Sequence, residues 1–252
     1  MITVRRSIER RQETLGDHDV WHTFYPADQP GGHDAFADGF ETLAMLTEDR
    51  IPPGGKGAEC EYFDNEVVTY AKEGEIIFRG GRGRSVTMRA GEFQCLTVDD
   101  PLRHREENAS GNDPAHLFRF CLHPADDGLK PHFEQKRFTT SERRGVLRIV
   151  ASPDGRKGSL LLQQDALVYS SILDSGRHLV HELTKGRSAW IHIVAGKIDL
   201  DDLVLSEGDG AGVTGERALS FTAKEESEIL VLDLGSSRSR FHMNGNSPSH
   251  KP

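Results

Sequence analysis

Apolar residues along this chain recur in short runs, many with a period near two, and glycine or charged turns separate the runs. The densest stretch is 54–108. There Glu73-Gly74-Glu75 and Arg89-Ala90-Gly91-Glu92 each stand between two β-rich runs, as the corners of antiparallel hairpins do. A glycine at such a corner supplies the positive φ that other residues adopt only at a cost. The run 116–122 alternates cleanly, with Leu117, Arg119 and Cys121 on one face and His116, Phe118, Phe120 and Leu122 on the other. Upstream, 2–12 opens as a strand, 21–25 reads as a short aromatic strand, 26–39 is a loop rich in Pro, Gly, Asp and His, and a strand starting at Leu43 leads into the dense stretch. Downstream, strand-like runs are predicted at 160–163, 166–172, 188–194, 197–200, 210–213, 219–222 and 229–234. Ala195-Gly196-Lys197 and Glu207-Gly208-Asp209-Gly210 repeat the roles of the two earlier corners, and helical periodicity is almost absent. The pattern predicts an all-β chain of two similar units, 1–123 and 145–235, each a small antiparallel β-barrel. A polar linker over 124–144 joins them, and a disordered tail over 236–252 follows.

Length and composition narrow the function classes. With 252 residues, 36% of them hydrophobic and 28% charged, the chain can bury a large core. The net charge of −9 argues against nucleic-acid binding, which needs clustered Lys and Arg on the phosphate backbone. No run of about 18 apolar residues exists to cross a membrane. The opening Met1-Ile2-Thr3-Val4-Arg5-Arg6 lacks the apolar core of a signal peptide, and the three cysteines Cys60, Cys95 and Cys121 form no CxxC pair. Both features point to a cytoplasmic, reducing location. The glycine-rich segment 80–84 falls in a hairpin turn rather than between strand and helix, so no phosphate cradle is expected there.

The stretch 54–108 resembles the two motifs of the cupin superfamily and, within it, of the pirin family. Glu66-Val67-Val68-Thr69-Tyr70 with Gly74-Glu75 matches the first motif. Gly91-Glu92-Phe93-Gln94 and Leu96-Thr97 match the second, and His104, Glu106 and Asn108 keep the spacing of its closing His-x-Glu-x-Asn. The resemblance covers nearly the whole chain and is nearest to bacterial pirin-like proteins of the YhaK type. It implies a bicupin, two tandem antiparallel barrels of the jelly-roll type packed together. It also implies a metal site, in which a His-x-His pair before the first run and the His and Glu of the second motif hold one divalent ion at the mouth of the N-terminal barrel. Some members of the family are similar to quercetin 2,3-dioxygenases, in which the metal binds the flavonol and the glutamate can act as base.

The chain departs from the family pattern at the first two ligands. Counting back from Glu66 places Cys60 and Tyr62 where the histidines stand, on the inward face opposite His104 and Glu106. The metal set carried over from the resemblance is therefore His104, Glu106, Cys60 and Tyr62, degenerate at the last two, with Glu106 as the catalytic candidate. Glu59 and Glu61 disfavour a thiolate at Cys60. The expectation is a hydrogen-bonded polar plug with no cofactor; any cofactor would be one divalent metal, Fe, Ni, Mn or Zn, in the N-terminal barrel. In the second unit His178 and His181 are three apart, face opposite ways on a strand, and have no following His-x-Glu, so no metal is expected there. His192 is the remaining histidine of that unit. The other histidines, among them His18, His22, His33, His116, His123 and His132, are expected mostly at the surface or in loops. Cys95 and Cys121 are expected as small buried core residues.

Two readings of function follow. The first is a non-enzymatic, regulatory bicupin that senses a small ligand or an oxidant at the first barrel. The second is a metal-dependent dioxygenase of the quercetin 2,3-dioxygenase type. A regulatory protein as partner is implied by the family likeness alone.

Overall fold

The computed structural model describes residues 1–24, 34–62, 65–80, 85–98, 102–123 and 130–235, and at 58–62, 65, 98 and 102 the backbone only. The expected tail 236–252, residues 81–84 of the expected glycine-rich turn, His33, and parts of the expected 26–39 loop and linker lie outside the described residues. Among the described residues the regular structure is mostly β-strand, in four sheets. In the first half a seven-stranded sheet runs in the order His132–Arg137, Glu92–Val98, Asn65–Glu73, Ala115–Leu122, Leu43–Ile51, His18–His22, Arg11–Leu15. A four-stranded sheet, Lys56–Tyr62, Leu102–Asn108, Glu75–Gly80, Ser85–Arg89, closes over one of its faces. The second half repeats the plan. Its seven-stranded sheet is Ile2–Arg5, Gly210–Val213, Ser188–Ala195, Ser227–Leu234, Ala166–Leu173, Arg148–Ser152, Leu160–Leu161. Its four-stranded sheet is His178–Glu182, Ala218–Ala223, Lys197–Leu200, Leu203–Ser206.

This is the expected bicupin plan with one refinement. Among the described residues no ladder joins the large sheet of a half to its small sheet, so each half is a jelly roll of two facing sheets rather than a closed hydrogen-bonded barrel. The N-terminal segment crosses between halves, and the expected linker carries a strand of the first. Ile2–Arg5 pairs with Gly210–Val213 at the edge of the second large sheet, so the first fifteen residues straddle both halves. Within the expected linker, His132–Arg137 is the edge strand of the first large sheet, against Glu92–Val98.

Alternation decides what each strand buries. All eight residues of Ala115–Leu122 are buried because both faces of the strand are covered. Phe118, Phe120 and Leu122 join Val68, Tyr70 and Phe93 in a cluster that runs into Val168, Trp190, Leu230 and Leu232 of the other half. The most extensive apolar core is thus the seam between the two large sheets. Trp190 lies at its centre, edge-on to Phe24 and Phe36 with ring centroids 4.8 and 5.1 Å away. At one end of the seam the Tyr70 hydroxyl donates to Glu228 at 2.5 Å and accepts from Arg143 at 2.9 Å. At the corner of the dense motif Gly74 adopts φ +78°, and a Cβ there would stand 2.7 Å from the backbone of Ala115, so the hairpin passes against the neighbouring strand only as glycine.

Candidate functional site

The strand Leu102–Asn108 alternates, with Arg103 and Arg105 exposed and His104, Glu106 and Asn108 buried. The second motif therefore aims His104 and Glu106 into the first jelly roll. Asn108 is architectural. Its amide donates to the carbonyls of Ile51, Pro52 and Asp113, and its oxygen accepts from the Ser110 backbone. The antiparallel neighbour Lys56–Tyr62 sets Cys60 directly across from His104 and Tyr62 across from Leu102. The side chains of Cys60 and Tyr62 lie outside those described.

Facing this strand, the large sheet presents a polar layer through the middle of three adjacent strands. Arg119 of Ala115–Leu122 is flanked in register by Thr47 and Thr69, two small residues that leave room for a long side chain. Its guanidinium reaches across to the small sheet. Nη2 donates to both oxygens of Glu106, at 2.8 and 2.7 Å, and Nη1 lies 3.4 Å from Asp49 Oδ2. Thr47 donates to the same Asp49 oxygen at 3.0 Å, and His18 Nε2 stands 3.7 Å from the other. His104 Nε2 is 3.2 Å from Glu106 Oε1. The side chains of His18, Asp49, His104, Glu106 and Arg119 are all at least nine-tenths buried. The His18 ring rests on Gly57, where a Cβ would come within 2.8 Å of it.

The charges are ordered by these contacts. Burial alone would push the Glu106 carboxyl up, but the Arg119 guanidinium and His104 outweigh it and hold Glu106 down at about 2. Asp49 moves the other way: burial raises it, and the Glu106 charge adds to the rise against the pull of Arg119 and His18. One guanidinium thus spans two carboxyls, and Glu106 carries the paired negative charge.

Comparison with known proteins agrees with the fold and the motifs. Residues 5–121 match the Pirin family, and residues 149–234 match the quercetinase C-terminal cupin domain. A quercetin 2,3-dioxygenase of Escherichia coli K12 is 32% identical over 93% of this chain and 99% of its own length. The chain belongs to the pirin family. The pirin-like protein YhaK of the same organism is 25% identical over 93% of this chain and 99% of its own. Among solved structures, the E. coli pirin YhhW in complex with nickel(II) superposes with a TM-score of 0.84 at 32% identity, over 94% of this chain and all of that one.

The residues of this pirin do not fit a divalent ion at Glu106. A single nitrogen of Arg119, nearly equidistant from the two Glu106 oxygens, occupies the chelating side of the carboxylate. Among the described residues no three His, Cys, Asp or Glu side chains are arranged to hold a metal. Of the sequence-expected set, the structure brings together His104 and Glu106, and it adds Arg119, Asp49 and His18, which carry no motif. His18 and His116, expected with the surface histidines, are buried: His18 beside Asp49, and His116 with Nε2 2.8 Å from Glu48 at the seam between halves. In the second half the three histidines are dispersed. His178 is exposed, His181 is held 3.0 Å from Asp233, and His192 faces the seam at 0% exposure. Cys95 and Cys121 are buried free thiols, and burial pushes Cys121 up to about 12.

Proposed function

We propose that this pirin is a non-enzymatic, regulatory bicupin whose first jelly roll works without a metal. The observation that carries the reading is the ion pair Arg119–Glu106: the carboxylate that would bind the ion, or act as base in oxygenase chemistry, is already saturated on its chelating side by a buried, permanently protonated guanidinium. A pinned carboxylate with its acidity held at about 2 is also a poor proton acceptor near neutrality. A ligand for the regulatory role would be a small molecule received at the mouth of the first jelly roll. Oxidant sensing through Cys95 or Cys121 is disfavoured, since burial raises both thiols out of the reactive range.

A second reading, a metal-dependent quercetin 2,3-dioxygenase, is favoured by one observation: identity is 32% to a protein of that name and 25% to YhaK. The deciding experiment is elemental analysis of protein purified without affinity tag or chelator, beside a His104→Ala/Glu106→Ala variant, with quercetin consumption measured after incubation with Fe, Ni, Mn or Zn. Negligible metal and no turnover are expected in both. A stoichiometric ion that disappears in the variant, together with flavonol oxidation, would replace the first reading with the second.

A further inference from the structure

We infer that Arg119 is the resident cation of the first jelly roll: its tethered guanidinium takes the position and the charge-balancing role that a divalent ion would have at Glu106, and it, not only the absent histidines, sets this chain's refusal of metal. The inference rests on the metal-free reading above and gives that reading a cause.

Three features of the geometry lead to it. Arg119 rises from the large sheet and Glu106 from the small one, so their contact crosses the interior as a shared ion would. The guanidinium is also clamped from its far side. Asp49 lies 3.4 Å from Nη1, and Thr47 fixes Asp49 by a 3.0 Å hydrogen bond, so Arg119 is anchored by a second carboxyl and held out of solvent. Finally, a guanidinium keeps its proton when buried and presents several donors in a plane, which lets one group answer two carboxyls. Bringing an ion to Glu106 requires either a like charge within a few ångströms or the withdrawal of Arg119 along the face of its strand that it shares with the apolar residues Leu117 and Cys121. A chain that merely lacked two histidines would regain the ion when they were restored. This chain would not.

The test compares nickel affinity by calorimetry and nickel content by elemental analysis in four full-length proteins. They are the wild type, Cys60→His/Tyr62→His, the same pair with Arg119→Leu, and the same pair with Arg119→Gln. The glutamine form keeps a donor for Glu106 without the charge and covers the case in which the leucine form fails to fold. Circular dichroism and thermal melting establish folding before each titration. The expected result is that restoring the histidines alone yields weak, substoichiometric nickel, and that neutralising Arg119 as well tightens binding by about a hundred-fold or more, to one ion per chain. Equal affinity with and without the Arg119 substitution overturns the inference. So does a folded Cys60→His/Tyr62→His/Arg119→Gln protein that takes up no nickel. Neither result touches the non-enzymatic reading, which fails separately if the wild type itself oxidises quercetin.

Discussion

The two jelly rolls share one plan and fill it differently. In the second, an apolar cluster fills the interior: Ile191, Ile193, Ile229 and Val231 from the large sheet meet Ile198, Leu200, Leu219 and Phe221 from the small one, and the charged contact between its sheets, His181 to Asp233 at 3.0 Å, joins the small sheet's edge strand to the end of Ser227–Leu234. In the first, apolar residues split into two patches. Ile51, Ala71 and Leu117 belong to one, Val67 and Cys121 to the other. Between them, on the same three strands, lie Asp49, Thr69 and Arg119, with Glu106 opposite. A jelly roll does not need charge in its middle, as the second half of the same chain demonstrates. Buried ion pairs stabilise little compared with well-packed apolar replacements, because desolvation offsets most of the attraction. The polar layer of the first roll is therefore poorly explained by stability and is better read as a site whose anionic wall is answered by an internal cation.

The largest expected effect comes from breaking that pair on one side. Arg119→Met leaves the Glu106 carboxyl buried without its cation and should cost about 3–5 kcal/mol in urea unfolding. Adding Glu106→Gln should return a substantial part of that loss, a coupling of about 1–3 kcal/mol in the double-mutant cycle. If the double variant is as unstable as the sum of the singles, the two groups do not act as a pair. In the second roll, Ile191→Ala should cost about 2–5 kcal/mol by the cavity it leaves. No companion change of an ionisable residue should recover it, because nothing charged depends on Ile191. Such recovery would remove the contrast between the two interiors.

The same contrast separates what could be read in the sequence from what could not. Six of the seven strand-like runs predicted after residue 145 match strands to within two residues at each end, because each buries one or both faces and punctuates with glycine or charge, and the run 160–163 is a strand only at Leu160–Leu161. Arg148–Ser152, His178–Glu182 and Leu203–Ser206 escaped, the second carrying charge at exposed positions. Of the family motif, Val68 and Tyr70 face the other half, and Glu66 accepts from the Gln163 backbone at 2.8 Å across the seam. The run that makes the family recognisable is thus largely a docking surface. His104 and Glu106 were legible through their spacing. Arg119, Asp49 and His18 were not, because they come from three strands far apart in sequence that are brought together by pairing within the large sheet and meet Glu106 only when the two sheets face each other. The one available signal was the alternation that set Arg119 on the face of Leu117 and Cys121, an arginine where an apolar residue belongs.

Acid should distinguish the seam from the first roll. Burial, with Arg10 adding to it and Glu48 and Asp209 opposing, holds His192 down at about 3, against an ordinary value of 6.5. Between those values the unfolded chain carries the proton and the fold does not, so stability falls as pH drops through 6.5. Glu106, held at about 2, contributes stability that is fully present above 4.5 and is lost as pH falls from there towards 2. Replacing His192 by Leu should therefore flatten the pH dependence between 6.5 and 4.5 by up to one proton, roughly 1.4 kcal/mol per pH unit. Glu106→Gln should leave that window untouched and flatten the dependence below 4.5. Denaturant titrations at a series of pH values would check both, and an unchanged slope in the His192→Leu protein would mean that its imidazole is not held neutral in the seam.

The smallest effect concerns rates rather than stability. Cys121 faces the first roll and Cys95 the seam, both buried, and burial raises both thiols, Cys95 with help from Glu66 and Glu134. At pH 8 a thiol of pKa about 12 is ionised in only about one molecule in ten thousand, so a reagent reaches it through opening of the structure. In the native protein at most one of the three thiols should react promptly with a chromogenic disulfide, and all three should react in denaturant. The two slow thiols report different openings. Arg119→Met loosens the first roll, so it should speed Cys121 more than Cys95, as read by mass spectrometry of the labelled peptides. Equal acceleration of both would mean that the halves open together and that the polar layer of the first roll has no independent hold on its own two sheets.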